Sequence, residues 1–365
     1  MELKKILYAF SVCAFLLTPK SNAATNDSTL IKVSGYVDAY YAYYTDSVGV
    51  GKYQKFPSIS PRTNSFGLNS ACITAQYDGS KVRGIVTLHY GDIPVSAWSG
   101  TFNNIMEAHA GVRLGKKCWL DAGFFRTHTG AEGLLPKENF TSSVSVSTFF
   151  EPYFESGIRL NYLPNTKWSI NIFALNGYNI YEDNNEKKSI GMLATYSFNE
   201  NGNIGYSNYI GDDTPKAADS ISHLRIFQNL FFNYQFKKLK MQLGIDNIMQ
   251  GNSDITDPKK SADALSGVLS FKYQFSTNYA IYSRGEFFND PQGFMGGVIT
   301  DKKNKLTGIK LFGITLGTEY KPTDNTIIRL EGRELVADKD QEIFRWNGEN
   351  KKDRLEIMLN IGVSF

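Results

Sequence analysis

Residues 354–365, RLEIMLNIGVSF, close the chain, and the spacing of their apolar positions decides the fold. Leu355, Ile357, Leu359, Ile361 and Val363 fall on alternate positions and Phe365 ends the series. Between them stand Arg354, Glu356, Met358, Asn360, Gly362 and Ser364, mostly polar or small. Side chains of an extended strand alternate between two faces, so one face of this segment meets something oily and the other something wet.

The same alternation recurs through the chain. In NIMEAHAGVRL, Met106, Ala108, Ala110, Val112 and Leu114 share one face, and Glu107, His109, Gly111 and Arg113 share the other. Sixteen such segments can be read, at roughly 31–45, 65–78, 81–91, 104–114, 117–126, 153–163, 166–176, 188–199, 202–211, 222–236, 239–250, 263–276, 278–288, 307–321, 325–336 and 354–365. Most reach the ~9–11 residues that a tilted strand needs to cross a bilayer. Short connections such as DGSK, GKK and KPTDN alternate with long ones, of which 127–152 is the longest. Seven short turns and eight long loops leave both termini on the short-turn side, the periplasmic side of an outer-membrane barrel.

A secreted β-sandwich would also alternate. Two features favour a membrane barrel. Aromatic residues gather beside the short turns: Tyr77, Tyr162, Tyr196, Phe198, Tyr234, Phe236, Tyr273, Phe275, Tyr320 and Phe365. Such rings suit the headgroup region. The polar face also carries mid-strand charges, as in Arg329, Glu331 and Arg333, which a dry core would not accept without pairing. In hydrocarbon an unpaired backbone group costs several kcal/mol, so the sheet must close and strand sixteen must pair with strand one. The fold class is therefore all-β, a transmembrane antiparallel barrel of about sixteen strands.

Composition agrees: 21 Tyr, 25 Phe and 32 Gly suit twisted strands and tight turns. Lys4 and Lys5, the apolar run Ile6–Leu17 and Ser21-Asn22-Ala23 read as an export signal over 1–23, leaving a barrel domain over 24–365. Beyond that run no stretch is long and apolar enough for a spanning helix. Losing Lys4, Lys5, Lys20 and Glu2 takes the formal charge from +3 to +1, which implies no polyanionic partner. Cys13 sits in the signal, where Val12 replaces the small residue of a lipoprotein site. Cys72 and Cys118 alone remain, too few for a disulfide scaffold.

Five stretches, SGYVDAYYAYY (34–44), DAGFFRTHTGAEGL (121–134), ALNGYNIYEDNNEKKSIGMLATYS (174–197), YSRGEFFNDPQGF (282–294) and RLEGREL (329–335), carry a likeness to a known family. In this order, with the aromatic terminus, the chain resembles the OmpL-like outer-membrane β-barrel porins over almost its whole mature length. Gly332 and Tyr178 depart from the expected aromatic and Trp. The resemblance implies passive passage of small hydrophilic solutes or ions, outer-membrane lipids as surroundings, and a last strand read by the barrel-assembly machinery. It leaves a homo-oligomer open; the near-neutral charge implies no nucleic acid, and no glycine-rich phosphate cradle points to a cofactor.

Loop 127–152 is the third long loop, the place where general porins keep their constriction. Folded inward it would offer Glu132, Lys137 and Glu138 to the pore. An outward surface loop is the alternative. Opposite it, Arg83, Arg113, Arg329, Arg333 and Arg354 would form a basic stripe, with Arg284, Glu286, Glu107, Glu331 and Glu356 also on the lumen face. A transverse field between stripe and loop would select solutes by charge. Equally, the arginines could pair locally with Glu107, Glu331, Glu356 and Asp38. His89 and His109 suggest solvated wall residues rather than a metal site, and EDNNE (182–186) lacks the ligand spacing of a calcium loop. Two other functions share these residues: an outer-membrane lipid hydrolase, for which His128 is the one loosely placed candidate, and a pore-less structural or adhesive barrel.

Overall fold

The computed structural model describes residues 31–365 apart from 47, 55, 57 and 216–220; the expected signal, its cleavage site and Cys13 lie outside the described residues. Sixteen antiparallel strands close into one barrel. In chain order they are β1 (Ile31–Tyr44), β2 (Ser65–Asp78), β3 (Val82–Tyr90), β4 (Ile105–Gly115), β5 (Cys118–Arg126), β6 (Phe154–Tyr162), β7 (Trp168–Leu175) and β8 (Ser189–Asn199). They continue with β9 (Gly202–Asp212), β10 (Leu224–Phe236), β11 (Leu239–Gln250), β12 (Ala262–Gln274), β13 (Tyr279–Asn289), β14 (Lys310–Tyr320), β15 (Thr326–Ala337) and β16 (Asp353–Ser364). Among the described residues no helix is long and apolar enough to cross a membrane.

The seam closes as the requirement for paired backbone groups demands. β1 and β16 run antiparallel from Tyr36 opposite Ser364 to Tyr44 opposite Glu356. Faces separate as the closing stretch predicts: on β16 Arg354, Glu356, Met358 and Asn360 are at most 1% exposed, whereas Leu359 and Ile361 are 42% and 47% exposed. Both described ends of the chain lie beside short turns. Ile31 pairs with Tyr77, and Ser364 N–H donates to Asn325 O at 2.8 Å. The Phe365 ring lies over Gly35, where a Cβ would stand 2.4 Å from it. Near the same end Trp168 meets Tyr196 at 4.9 Å, Phe198 stacks on Phe232 and Tyr234 at 5.9 Å each, and Tyr279 stacks on Tyr320 at 4.8 Å.

Among the described residues four register shifts break the strict alternation, between Asp38 and Ala39, Thr87 and Leu88, Arg113 and Gly115, and Ser197 and Asn199, each adding one residue to one strand; the first two turn side chains toward the interior. Between Asp38 and Ala39 of β1, β2 inserts Asn69, whose side chain turns inward and donates to Asp38 Oδ1 at 2.6 Å. Between Thr87 and Leu88 of β3, β4 inserts Met106. This corrects the sequence reading, which placed Met106 outside with Ala108. The extra residue turns the thioether inward, where it is buried in a cluster with Cys72, Leu134 and Leu135.

Candidate functional site: a loop clamped inside the barrel

Loop 127–152 leaves β5 and returns to β6. Its shape comes from short-range bonds: Asn139 exchanges amide hydrogen bonds with Gly133, at 2.7 and 2.8 Å, closing the bend around the turn Pro136–Glu138. Ser145 then caps the short helix α1 (Val146–Phe150). From His128 to Thr148 every residue except Lys137 and Glu138 is buried. A loop so far from bulk water needs donors for its carbonyls and acceptors for its N–H groups.

The barrel wall supplies both. Arg284 on β13 donates from Nη1 to Ser143 O at 2.7 Å, to Thr141 Oγ1 at 2.9 Å and to Glu132 Oε1 at 3.1 Å. Arg329 on β15 donates to Thr141 O at 2.6 Å and to Pro136 O and Asn139 O at 2.8 Å each, while its Nε holds Glu319 at 2.8 Å. Glu331 accepts the N–H groups of Ser142 and Ser143 at 2.6 and 3.0 Å. Glu286 accepts Val146 N–H at 2.7 Å. Ser142 Oγ reaches Asn360 on β16, and Gln242 on β11 donates to Ala131 O at 2.6 Å. The loop therefore spans the lumen from β5 and β6 to the seam. Planar guanidinium forks suit this task, since one side chain satisfies several carbonyls at once.

Other loops close over it. Ile59 and Ile93 pack with Leu134, Leu135 and Val144, and Phe56, Phe344 and Ile309 pack with Val146. The sequence reading missed this apolar layer; the isolated apolar residues of loops 46–64, 92–103, 289–306 and 337–353 were its only trace.

Residues 30–365 match the family described as "Putative beta-barrel porin-2, OmpL-like". The chain belongs to this porin family. Among curated proteins none matches the sequence. Solved structures share the fold. An anion-selective porin from Comamonas acidovorans is similar at TM-score 0.64 and 10% identity, over 92% of this chain and 99% of that one. The outer-membrane channel DcaP of Acinetobacter baumannii gives 0.60 and 12%, over 92% and 97%. A trimer form of the outer-membrane protein OmpT of Vibrio cholerae gives 0.58 and 10%, over 92% and 99%. Fold and family place this porin in the outer membrane.

The porin's charges are arranged differently from the expected transverse field. Glu132 and the side chain of Glu138 are buried, and Lys137 is half-buried. Glu132 is buried against Arg284, Ser145 N–H and Thr148 Oγ1. Glu138 pairs with Arg126 at 2.6 Å, and Lys137 lies over the Tyr36 ring at 4.5 Å. Nor do the seam arginines stand across water from the loop; they bind it or pair beside it. Arg333 forms two 2.9 Å bonds to Glu286 and approaches Glu356 at 3.4 Å, and Arg354 pairs with Glu356 and with Asp46 at 3.2 Å. For side chains as buried as Arg333, Arg354, Glu286 and Glu356, paired charges cost less than solitary ones. Arg83 and Arg113 do not join this group. Arg83 holds Asp121 at 2.6–2.7 Å, and exposed Arg113 donates to the carbonyls of Ser80, Gly115 and Lys116 at the short turns. Glu107 accepts from Thr87 Oγ1 at 3.3 Å and lies 3.8 Å from His109.

His128, the hydrolase candidate, has both ring nitrogens engaged. Nδ1 lies 2.8 Å from the Glu155 carboxylate and Nε2 lies 2.7 Å from Asn208 O. Two acceptors require two N–H donors, hence an imidazolium. Burial opposes that charge, but Glu155 holds the His128 pKa above its ordinary value. No nitrogen remains to activate a serine.

Loop residue Glu151 meets the Asp246 carboxylate of β11. Burial, Asp246 and Glu132 together raise the Glu151 pKa well above the carboxylate range. Facing this pair are Asn229 and Ser266, which donate to Asp246, and Thr148, with Arg284 beyond Glu132. An acid whose folded pKa is raised keeps a proton that the undocked form releases, so docking weakens as pH rises above the ordinary carboxyl value. His128 has the same sign: its contribution is present at low pH and is lost as pH rises through its folded value. Alkaline pH is therefore expected to loosen the loop, read as faster protease cleavage within 127–152. Glu151→Gln should flatten the dependence, and an equally steep response in that variant would exclude Glu151 as its source.

Proposed function

We propose that this porin is a passive diffusion channel for small hydrophilic solutes or ions, narrowed by loop 127–152, with its termini in the periplasm and an export signal over 1–23. The observation that carries the reading is the position of the loop: it crosses the lumen of a closed sixteen-stranded barrel, a width that otherwise encloses an aqueous channel. Lumen-facing side chains toward the short turns, among them Lys32, Thr74, Gln76, Arg83 and Lys240, remain partly or fully exposed and form the wetted wall. The protein's work is non-enzymatic, and its aromatic C-terminal strand is the signal for barrel assembly.

Burial of the loop supports one competing reading, a barrel blocked for a structural or adhesive role. A planar bilayer separates the two. Purified protein should give stepwise conductance, and deletion of 131–148 should raise the step size severalfold. Steps from the deletion variant alone would make the native barrel a closed one; no steps from either folded protein would reject the channel.

A homo-oligomer is supported by the trimer form of the OmpT neighbour. It is also supported by a shallow outer groove lined by Ala75, Gly84, Ala108, Ala110 and Ala122, small residues that permit close approach of a second copy. The mass of the particle extracted from native membranes checks it; a single-chain mass would remove the idea.

A further inference from the structure

Cys72 on β2 and His89 on β3 are directly paired in adjacent strands. Both lie on the inward face and both are buried, His89 with no exposure at all. Paired side chains in antiparallel strands have Cβ atoms about 4.5–5.5 Å apart, close enough to share one ion. Neither ring nitrogen of His89 makes a hydrogen bond of ordinary geometry, although the Asn103 backbone lies near the ring. Buried polar atoms are nearly always satisfied, so a histidine with two idle nitrogens calls for an explanation. The β4 bulge adds the Met106 thioether to the buried cluster that contains Cys72. Trp98, from the loop after β3, stands edge-to-face with the His89 ring at 4.8 Å.

We propose that Cys72, His89 and Met106 form a binding site for a soft monovalent metal cation of the Cu(I) type, in the lumen wall beside loop 127–152. Thiolate, thioether and imidazole are the ligands that soft cations prefer. Among the described residues no three His, Cys, Asp or Glu side chains converge for a metal, so a cage for a harder divalent ion is not what the wall assembles. Charge favours the monovalent ion as well. Binding exchanges the thiol proton for the cation, Cys–SH + M⁺ → Cys–S–M + H⁺, and leaves a neutral site in a poorly hydrated place.

The test uses Ag⁺, which shares the charge and ligand preference of Cu(I) without its redox chemistry. The full barrel, residues 24–365, is purified with Cys118→Ser, because Cys118, at the start of β5, is the other free thiol among the described residues. Calorimetric titration should find one Ag⁺ per chain. Further replacement Cys72→Ser or His89→Gln should weaken binding at least about tenfold, the scale of losing one participant in a metal site. Three results overturn the site: no binding by the folded Cys118→Ser protein, unchanged affinity in both further variants, or loss in Cys72→Ser with His89→Gln unaffected, which would leave an ordinary thiol. Should a variant fail to fold, the silver-edge absorption spectrum of the Cys118→Ser protein decides. Sulfur and nitrogen together support the site, whereas sulfur alone, or nitrogen and oxygen alone, overturn it. Conductance plays no part in these readouts, so their failure leaves the channel reading standing.

Discussion

Glu286→Ala is expected to release the lumen loop and to cost about 3–5 kcal/mol of stability, the range for breaking one side of a buried ion pair. Glu286 accepts two 2.9 Å bonds from Arg333, one at 3.3 Å from Arg284 and the Val146 N–H at 2.7 Å. Removing the carboxylate leaves two buried guanidinium groups short of counter-charge and orphans the N–H that opens α1. Glu286→Gln keeps the shape and the acceptor oxygen but not the charge, so it should fall between the two. Urea unfolding of the protein in vesicles measures the first effect, and protease sensitivity of 127–152 measures the second. An alanine variant that unfolds and resists protease like the parent would show that the loop is held by other means.

Leu359→Arg probes the opposite face. Leu359 lies outward on β16 between Leu330 of β15 and Tyr41 of β1, with 42% of its surface exposed. An arginine at the bilayer midplane costs roughly 2–4 kcal/mol. Leu359→Phe, which preserves an apolar surface, should change stability far less. Both are compared by the same unfolding measurement in vesicles. Equal stability for the two variants would mean that this face does not meet hydrocarbon, and the membrane reading would fall with it.

The strands were legible because a barrel wall between oil and polar interior imposes one period on every crossing segment. Each of the sixteen segments overlaps an observed strand. Ends were less legible: the segment read from 222 begins as a strand at Leu224. The one read from 307 begins at Lys310, because Leu306–Thr307 pairs instead with Ile299–Thr300 in a small hairpin. Asn69 and Met106 were misread or missed because a bulge leaves no mark on the local pattern. The site was legible only as residue types. Arg284, Glu286, Arg329 and Glu331 stood out as charges on alternating positions, but their partners lie in a loop some 140–190 positions away, and period says nothing about contacts at that range. The pairing of Cys72 with His89 likewise emerges only from the register of β2 against β3.

Loop 127–152 is synthesised well before the strands that hold it: its bonds to Glu331 and Asn360 join positions 189 and 218 apart. A nascent chain ending before β13 would carry this segment with its peptide groups unsatisfied by any wall arginine. Contacts so distant in sequence form late. Docking of the segment and zipping of the last strands onto the first thus belong to one step of biogenesis. A chain stalled short of that step would present a dangling stretch of backbone to periplasmic chaperones and proteases.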